Sequence, residues 1–179
     1  RYYTDAEPES AFVLEKGGEV RGYLIGSRHW WRQRWFRVVD NPRIFLKGAW
    51  RYFRRPYNEA SRKFIRWVLT QGGKESPLVP ARAAHFHINL LDDARSVAET
   101  RELFDAFLGY LARCGESRVY GQMVVFENRR REAMFRRYGF QVLDRREVTK
   151  FRGLHDGAVY LFTVFKDDVV TNPSVYVRA

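Results

Sequence analysis

One cysteine, Cys114, stands among 179 residues. That scarcity excludes a disulfide framework and a cysteine-based zinc site, and it leaves the lone thiol as a packing residue near a helix end. The chain also lacks any apolar run near the ~18 residues that a spanning helix needs. No stretch has the form of a secretory signal, so a cytoplasmic home is the expectation. What it lacks most is acid: 21 aspartates and glutamates stand against 32 lysines and arginines, for a net charge of +11. Hydrophobic content of 45% and aromatic content of 16% exclude a disordered chain, and the length points to one domain, 1–179.

The acid deficit is local. Residues 28–67 carry twelve basic side chains against Asp40 and Glu59, and they hold all five tryptophans, Trp30, Trp31, Trp35, Trp50 and Trp67. The spacing is helical. Trp31, Trp35 and Val38 share a stripe with Arg28, Arg32, Arg34 and Arg37 around it. Phe45, Ala49, Trp50 and Phe53 make a second, with Lys47, Arg51 and Arg54 outside. Pro42 and Pro56 divide the run, and Asn58 is placed to cap a third helix bearing Phe64, Ile65, Val68 and Leu69. Three readings fit this segment. It is a cap over a substrate site with its arginines solvated, a surface for an anionic membrane, or a nucleic-acid binder. The last is the weakest, since no recognised nucleic-acid module accompanies the charge.

Elsewhere the pattern is that of an ordered α/β chain. Ala11-Phe-Val-Leu14 and Val20 to Ile25 flank Gly17-Gly18 and read as a hairpin. Residues 71–80 are a glycine- and proline-bearing loop. His85-Phe-His-Ile-Asn-Leu-Leu91 reads as a strand. A helix with Leu103, Phe104, Phe107, Leu108 and Leu111 on one face comes next, then a strand from Val119 to Phe126. A helix from Asn128 to Tyr138 is stopped by Gly139. This strand, helix, strand, helix unit puts a helix N-terminus beside the end of its first strand, an arrangement suited to a phosphate-bearing ligand. Residues 141–143, 146–151 and 158–165 close the chain, the last as a strong strand in an antiparallel hairpin.

His85 and His87 alternate on one strand and so face the same side. A neutral imidazole in that place suits proton removal from an ammonium; the alternative is a pair of ordinary strand residues, one hydrogen-bonded in the core. No serine–histidine–acid triad has the context it needs, and His29 and His155 have no metal-ligand company, so no metal site is expected. Asp92-Asp93 reads as a cap for the next helix. Arg129-Arg130-Arg131 opens a helix against its dipole, which suggests an anion nearby; the alternative is a solvated run.

Taken together these parts resemble the GCN5-related N-acetyltransferase (GNAT) family over roughly residues 2–165. Residues 2–13 and 20–26 are similar to its second and third strands, and 85–91 to strand four. The segment from Glu127-Asn128 to Tyr138-Gly139-Phe140 is similar to its closing helix and Gly-Phe pair. The resemblance implies an acyl-CoA N-acyltransferase fold of α/β (α+β) class. Its mixed, mainly antiparallel sheet splays between strands four and five, with helices on both faces. It also implies a first strand and one or two helices upstream of Arg1. Some bacterial members carry a basic helical insertion between strands three and four, matching residues 28–70 here. The acyl-CoA core is then 85–140.

The implied activity is direct transfer of an acyl group, acetyl above all, from acyl-CoA to a small-molecule or peptide amine. The family's diphosphate loop, Gln/Arg-x-x-Gly-x-Gly/Ala, aligns with Arg95-Ser96-Val97-Ala98-Glu99-Thr100, continuing to Arg101. Ala98 and Thr100 replace glycines, Glu99 adds a carboxylate, and the Ser96 and Thr100 hydroxyls are expected to donate to phosphate. The resemblance further implies that main-chain groups of Leu90 and Leu91 hold the pantetheine arm. Asn128 would touch the coenzyme near strand five, and the cluster ending at Arg131 would meet its 3′-phosphate. The position of the family's tyrosine acid holds Phe135, with Tyr138 one turn on as its substitute. His85 and His87 resemble a histidine pair that one family member uses in deprotonating its amine. The competing expectation is a catalytically weakened relative serving as a membrane-surface or protein-binding module. A homodimer is compatible with either.

Overall fold

The computed structural model describes residues 2–54, 57–94, 96–126 and 132–169, save the side chains of Arg37 and Phe53. After a helical turn at Tyr2–Ala6 come β1 (Ala11–Lys16) and β2 (Glu19–Ser27), the expected hairpin. Gly17 and Gly18 sit at its corner with φ of 61° and 80°. Two left-handed residues in a row match the twist of the flanking strands, and glycine takes that conformation without a Cβ clash. Next are α1 (Trp30–Arg54) and α2 (Glu59–Thr70), then β3 (Ala84–Leu90), α3 (Val97–Arg113) and β4 (Val119–Phe126). The chain continues through α4 (Glu132–Arg137), β5 (Gln141–Glu147) and β6 (Val159–Lys166). Asn58 Oδ1 accepts the Ser61 N–H at 2.8 Å and caps α2 as expected.

One helix departs from expectation. Pro42 does not divide the basic run; α1 continues through it for 25 residues. An internal proline removes one hydrogen bond and crowds the carbonyl four residues back, at a cost of about 3 kcal/mol. Against that, Trp31, Trp35, Val38, Phe45 and Ala49 fall on one arc when the helix is unbroken. A break would have put the two stripes on separate faces. The second expected break, at Pro56, lies outside the described residues, as does the expected start of the last helix at Asn128. Gly139, with φ of 76°, ends α4.

The sheet runs β1-β2-β3-β4-β6-β5, and every neighbouring pair is antiparallel except β3 and β4. It is mixed and mainly antiparallel, as expected. The parallel pair is short: Ala84, His85 and Phe86 pair with Val119, Tyr120 and Gly121, although β3 reaches Leu90 and β4 reaches Phe126. Beyond Phe86 and Gly121 the two strands part. This is the splay expected between the family's fourth and fifth strands.

The pleat sorts residues to two faces. On one, α3 lays Phe104, Phe107 and Leu111 over Leu24, Phe86 and Val119, and α4 adds Phe135; Tyr138 and Phe140 follow it. The Phe86 ring meets Phe104 at 5.3 Å and Phe140 at 5.5 Å. Burying each such ring contributes roughly 1.5–3 kcal/mol. Two glycines let the rings lie against the sheet. A Cβ on Gly26 would stand 2.3 Å from the Phe107 ring, and one on Gly121 would stand 2.4 Å from Phe86. The other face carries His85, His87 and Tyr120, covered by the Tyr2–Ala6 turn and the first turns of α1. The sheet thus has helices on both faces.

Candidate functional site

Two buried polar clusters sit under the root of α1. Glu7, with no exposed surface, accepts from the Tyr2 hydroxyl (2.8 Å), the Ser27 hydroxyl (2.8 Å) and the Arg28 N–H (2.7 Å). Three donors satisfy a carboxylate that burial would otherwise disfavour. Burial, with Glu7 beside it, pushes the Tyr2 phenol up to about 12. The cluster ties the opening turn to the end of β2 and the start of α1.

The second cluster holds His85, which is 2% exposed. Its Nδ1 lies 3.0 Å from the Tyr3 hydroxyl and 3.3 Å from Nε2 of Gln33, and Gln33 Nε2 also donates to the Tyr3 hydroxyl at 2.8 Å. An amide nitrogen only donates, so the Tyr3 proton goes to Nδ1, and the hydrogen-bond pattern assigns the His85 proton to Nε2. His87 is exposed beside it, with the two rings 4.4 Å apart and nearly perpendicular. The expectation that both histidines face one side is borne out. They differ in burial: His85 is buried, with Tyr3 and Gln33 on its Nδ1, and His87 is exposed.

His87 is also the first β3 residue beyond the last β3–β4 pair. Alternate main-chain groups of a strand point to opposite edges. The Ala84 N–H donates to Arg118 O, on the β4 side, at 2.9 Å, and the Leu91 N–H donates to Arg21 O, on the β2 side, at 2.9 Å. By that alternation the main-chain groups of Ile88 and Leu90 point into the gap. The Leu91 N–H itself belongs to the β2 ladder. The reason is register, because Leu91 continues the ladder that pairs Gly22 with Leu90.

The start of α3 follows the C-terminal end of β3. Ser96 caps it, its Oγ accepting from the Glu99 N–H at 3.1 Å. Ser96, Val97 and Ala98 are exposed. The N–H groups of Val97 and Ala98 have no carbonyl one turn back, which leaves the helix's positive end facing outward. The Thr100 hydroxyl donates to Ser96 O at 2.7 Å, so it does not point outward as expected. Hydrogen bonds from the Ser96 hydroxyl and from Lys16, at 3.2 Å, hold the Glu99 carboxyl below its ordinary value. The Ser96 Oγ, as acceptor, and the Thr100 hydroxyl, as donor, both serve the helix's own first turn. Arg101 is exposed, its guanidinium 3.5 Å from Arg137 O. Arg95, Asn128 and Arg131 lie outside the described residues.

Tyr138 sits on the α3 side of the sheet. Its ring packs on Phe104 at 5.0 Å, and its hydroxyl donates to Val97 O at 3.2 Å. Burial pushes its phenol up. Phe135, which aligns with the family's tyrosine acid, is buried against Phe162. The histidines and Tyr138 are thus on opposite faces of the sheet. Tyr3 and Gln33 escaped the reading of the sequence. The one available signal was Gln33 itself, the only amide in residues 28–37, set across the helix from Trp31 and Trp35. Among the described residues no group of three or more histidines, cysteines, aspartates or glutamates is arranged to hold a metal. No described helix is long and apolar enough to cross a membrane.

A six-stranded, mainly antiparallel sheet parted at its one parallel pair, with a helix N-terminus at the parting, is the acyl-CoA N-acyltransferase fold. The comparison that carries this is an N-acetyltransferase from Staphylococcus aureus Mu50. It superposes with a TM-score of 0.52 at 12% identity, over 93% of this chain and 72% of that one. Naa20 from Chaetomium thermophilum, solved with a bisubstrate analogue, gives 0.49 at 15% identity, over 99% and 75% of the two chains. A ribosomal-protein-alanine N-acetyltransferase from Brucella melitensis gives 0.46 at 12%, over 88% and 67%. No family model and no curated protein matches the chain.

Proposed function

We propose that the protein is an acyl-CoA-dependent N-acyltransferase of the GNAT type, acetyl-CoA being the first donor to test, and that it acylates an amine on the histidine face of the sheet. The observation that supports this best is the fork beyond Phe86 and Gly121, with His87 at its mouth. The donor's pantetheine arm lies in the gap, met by the main-chain groups of Ile88 and Leu90. Its diphosphate rests at the positive end of α3, on the Val97 and Ala98 N–H groups, with Arg101 close by. Arg95, Asn128 and Arg131 complete that end in this reading.

His87 takes the proton of the acceptor ammonium. The amine nitrogen then bonds to the acyl carbon, the carbon–sulfur bond breaks, sulfur leaves as thiolate, and the second proton, left on the new amide nitrogen, passes to water. His85 positions His87, and Tyr3 and Gln33 fix the tautomer of His85. Phe135 gives no proton to the thiolate, and Tyr138 does so only by releasing Val97 O. Without an acid the rate falls by ~10²–10⁴ relative to an assisted enzyme, so slow turnover is expected.

Thermal melting with acetyl-, propionyl- and long-chain acyl-CoA tests the binding half. A rise in Tm with any of them supports the reading, whereas no shift with all three favours the weakened relative. For the chemical half, His87→Ala should lower turnover by ~10²–10⁴ and leave the acyl-CoA melting shift unchanged. Wild-type turnover in that variant removes His87 as the base.

A further inference from the structure

The α1–α2 pair breaks the rule that the rest of the molecule follows. In α1, Trp35 is 68% exposed, Phe45 60% and Trp50 58%; in α2, Leu69 is 62% exposed. These are not scattered residues. Trp31, Trp35, Val38, Phe45 and Ala49 keep one arc along a helix of 25 residues, about 37 Å long at 1.5 Å per residue. The far half of that arc and the apolar face of α2 line a common groove of about 660 Å³, walled by Phe45, Ala49, Phe64, Val68 and Leu69, with Arg62 and Arg66 at its edge. An exposed apolar surface of that extent marks an interaction site.

Charge selects the occupant. α1 carries seven lysines and arginines and a single acid, Asp40; α2 carries three and Glu59. Arg34, Arg62 and Arg66 are exposed. A second copy of this chain would set one such cluster against another and is repelled. A single-stranded nucleic acid would stack on the rings but gain little from Val38, Val68 and Leu69. Aliphatic and tryptophan side chains on one face, framed by guanidinium groups, suit the boundary between acyl chains and anionic headgroups. There the rings enter the interface and the arginines meet phosphate.

We infer that the α1–α2 pair docks the protein on an anionic lipid bilayer through the Trp31–Trp35–Phe45 stripe and the groove beside it. The docking is independent of acyl transfer, although α1 also bears Gln33, so the lipid-facing helix begins at the histidine face.

All five tryptophans lie in residues 28–67, so tryptophan emission, excited where tyrosine does not absorb, reports on this region alone. The probe is phosphatidylcholine vesicles containing about one third phosphatidylglycerol, against phosphatidylcholine alone, at physiological salt. The expected result is a blue-shifted emission and co-sedimentation with the anionic vesicles. Reversing Arg34, Arg62 and Arg66 together to Glu should weaken this on the order of 100-fold. Trp35→Gln with Phe45→Gln should abolish the shift while the melting temperature holds. The inference is overturned if anionic vesicles produce no shift, or if the charge-reversed chain binds them as well as the parent does. It is equally overturned if the tryptophans become buried by self-association without lipid, or if oligo(dT) produces the shift and the vesicles do not.

Discussion

In α3, Leu103, Phe104, Phe107 and Leu111 recur at helical spacing and all are buried; in α1, Trp31, Trp35, Val38 and Phe45 recur at the same spacing and all are exposed. Both helices are two-faced by the same local rule. What differs is what stands opposite. α3 lies on a sheet whose glycines at 26 and 121 clear room for aromatic rings, whereas the stripe of α1 faces away from that sheet. An apolar stripe therefore names a face that needs covering and leaves open what covers it. In α3 the cover is the protein's own sheet; in α1 it is assigned above to lipid.

The contrast is broken most directly by truncating one ring from each region. Phe86→Ala should lower the free energy of unfolding by about 3–5 kcal/mol, because it opens a cavity under three other phenylalanines. Trp35→Ala should change it by no more than about 0.5 kcal/mol. Equal losses in urea titrations would mean that α1 is packed as tightly as α3.

A smaller effect is expected at the seam between the two regions. Glu75 accepts from the Trp67 indole of α2 (2.5 Å), and from the Thr149 N–H (2.8 Å) and hydroxyl (2.6 Å) beyond β5. Burial works against its charge, but these hydrogen bonds outweigh it and hold the carboxyl below its ordinary value. A carboxyl depressed in the folded state binds its proton more readily when unfolded. Its stabilisation is full above the ordinary carboxylate range and is lost as pH falls through the folded value. Acid should therefore loosen α2, seen as a change in tryptophan emission before the sheet melts. Glu75→Ala should remove that early step and cost about 1–3 kcal/mol. An unaltered acid transition in this variant would show that α2 is held elsewhere.

The smallest expected effect lies at the start of α3. Glu99 stays ionised beside Lys16, close to where the proposed diphosphate rests. Glu99→Gln should tighten CoA binding by about two- to fivefold, the usual worth of one exposed charge. Calorimetry with CoA reads this directly, and unchanged affinity places the phosphates away from Glu99.

Much of the sheet was legible because its signals are local. Gly17-Gly18 fixes a hairpin corner, Asn58 caps α2 within three residues, and Leu103 to Leu111 sets the buried face of α3. The pairing of His85 with His87 followed from strand alternation alone. The difference in burial between them did not. It depends on Tyr3, 82 residues away in sequence, and on Gln33, 52 away, and no local pattern encodes contacts at that separation. Which edge the Leu91 N–H faces likewise depends on the register between β2 and β3. A continuous α1 is not what the sequence pattern suggests, because proline is a strong local signal, yet the helix runs through Pro42.

By itself, then, the sequence determined which residues alternate, where α2 begins and α4 ends, and that positive charge and tryptophan share one segment. Those properties come from steric and hydrogen-bonding rules acting over a few residues. Tertiary structure alone decided where β3 and β4 part, which histidine is buried, and that the stripe of α1 finds no cover among the described residues. Each of these depends on groups far apart in sequence meeting across the sheet, and close packing permits only certain pairs of faces to meet.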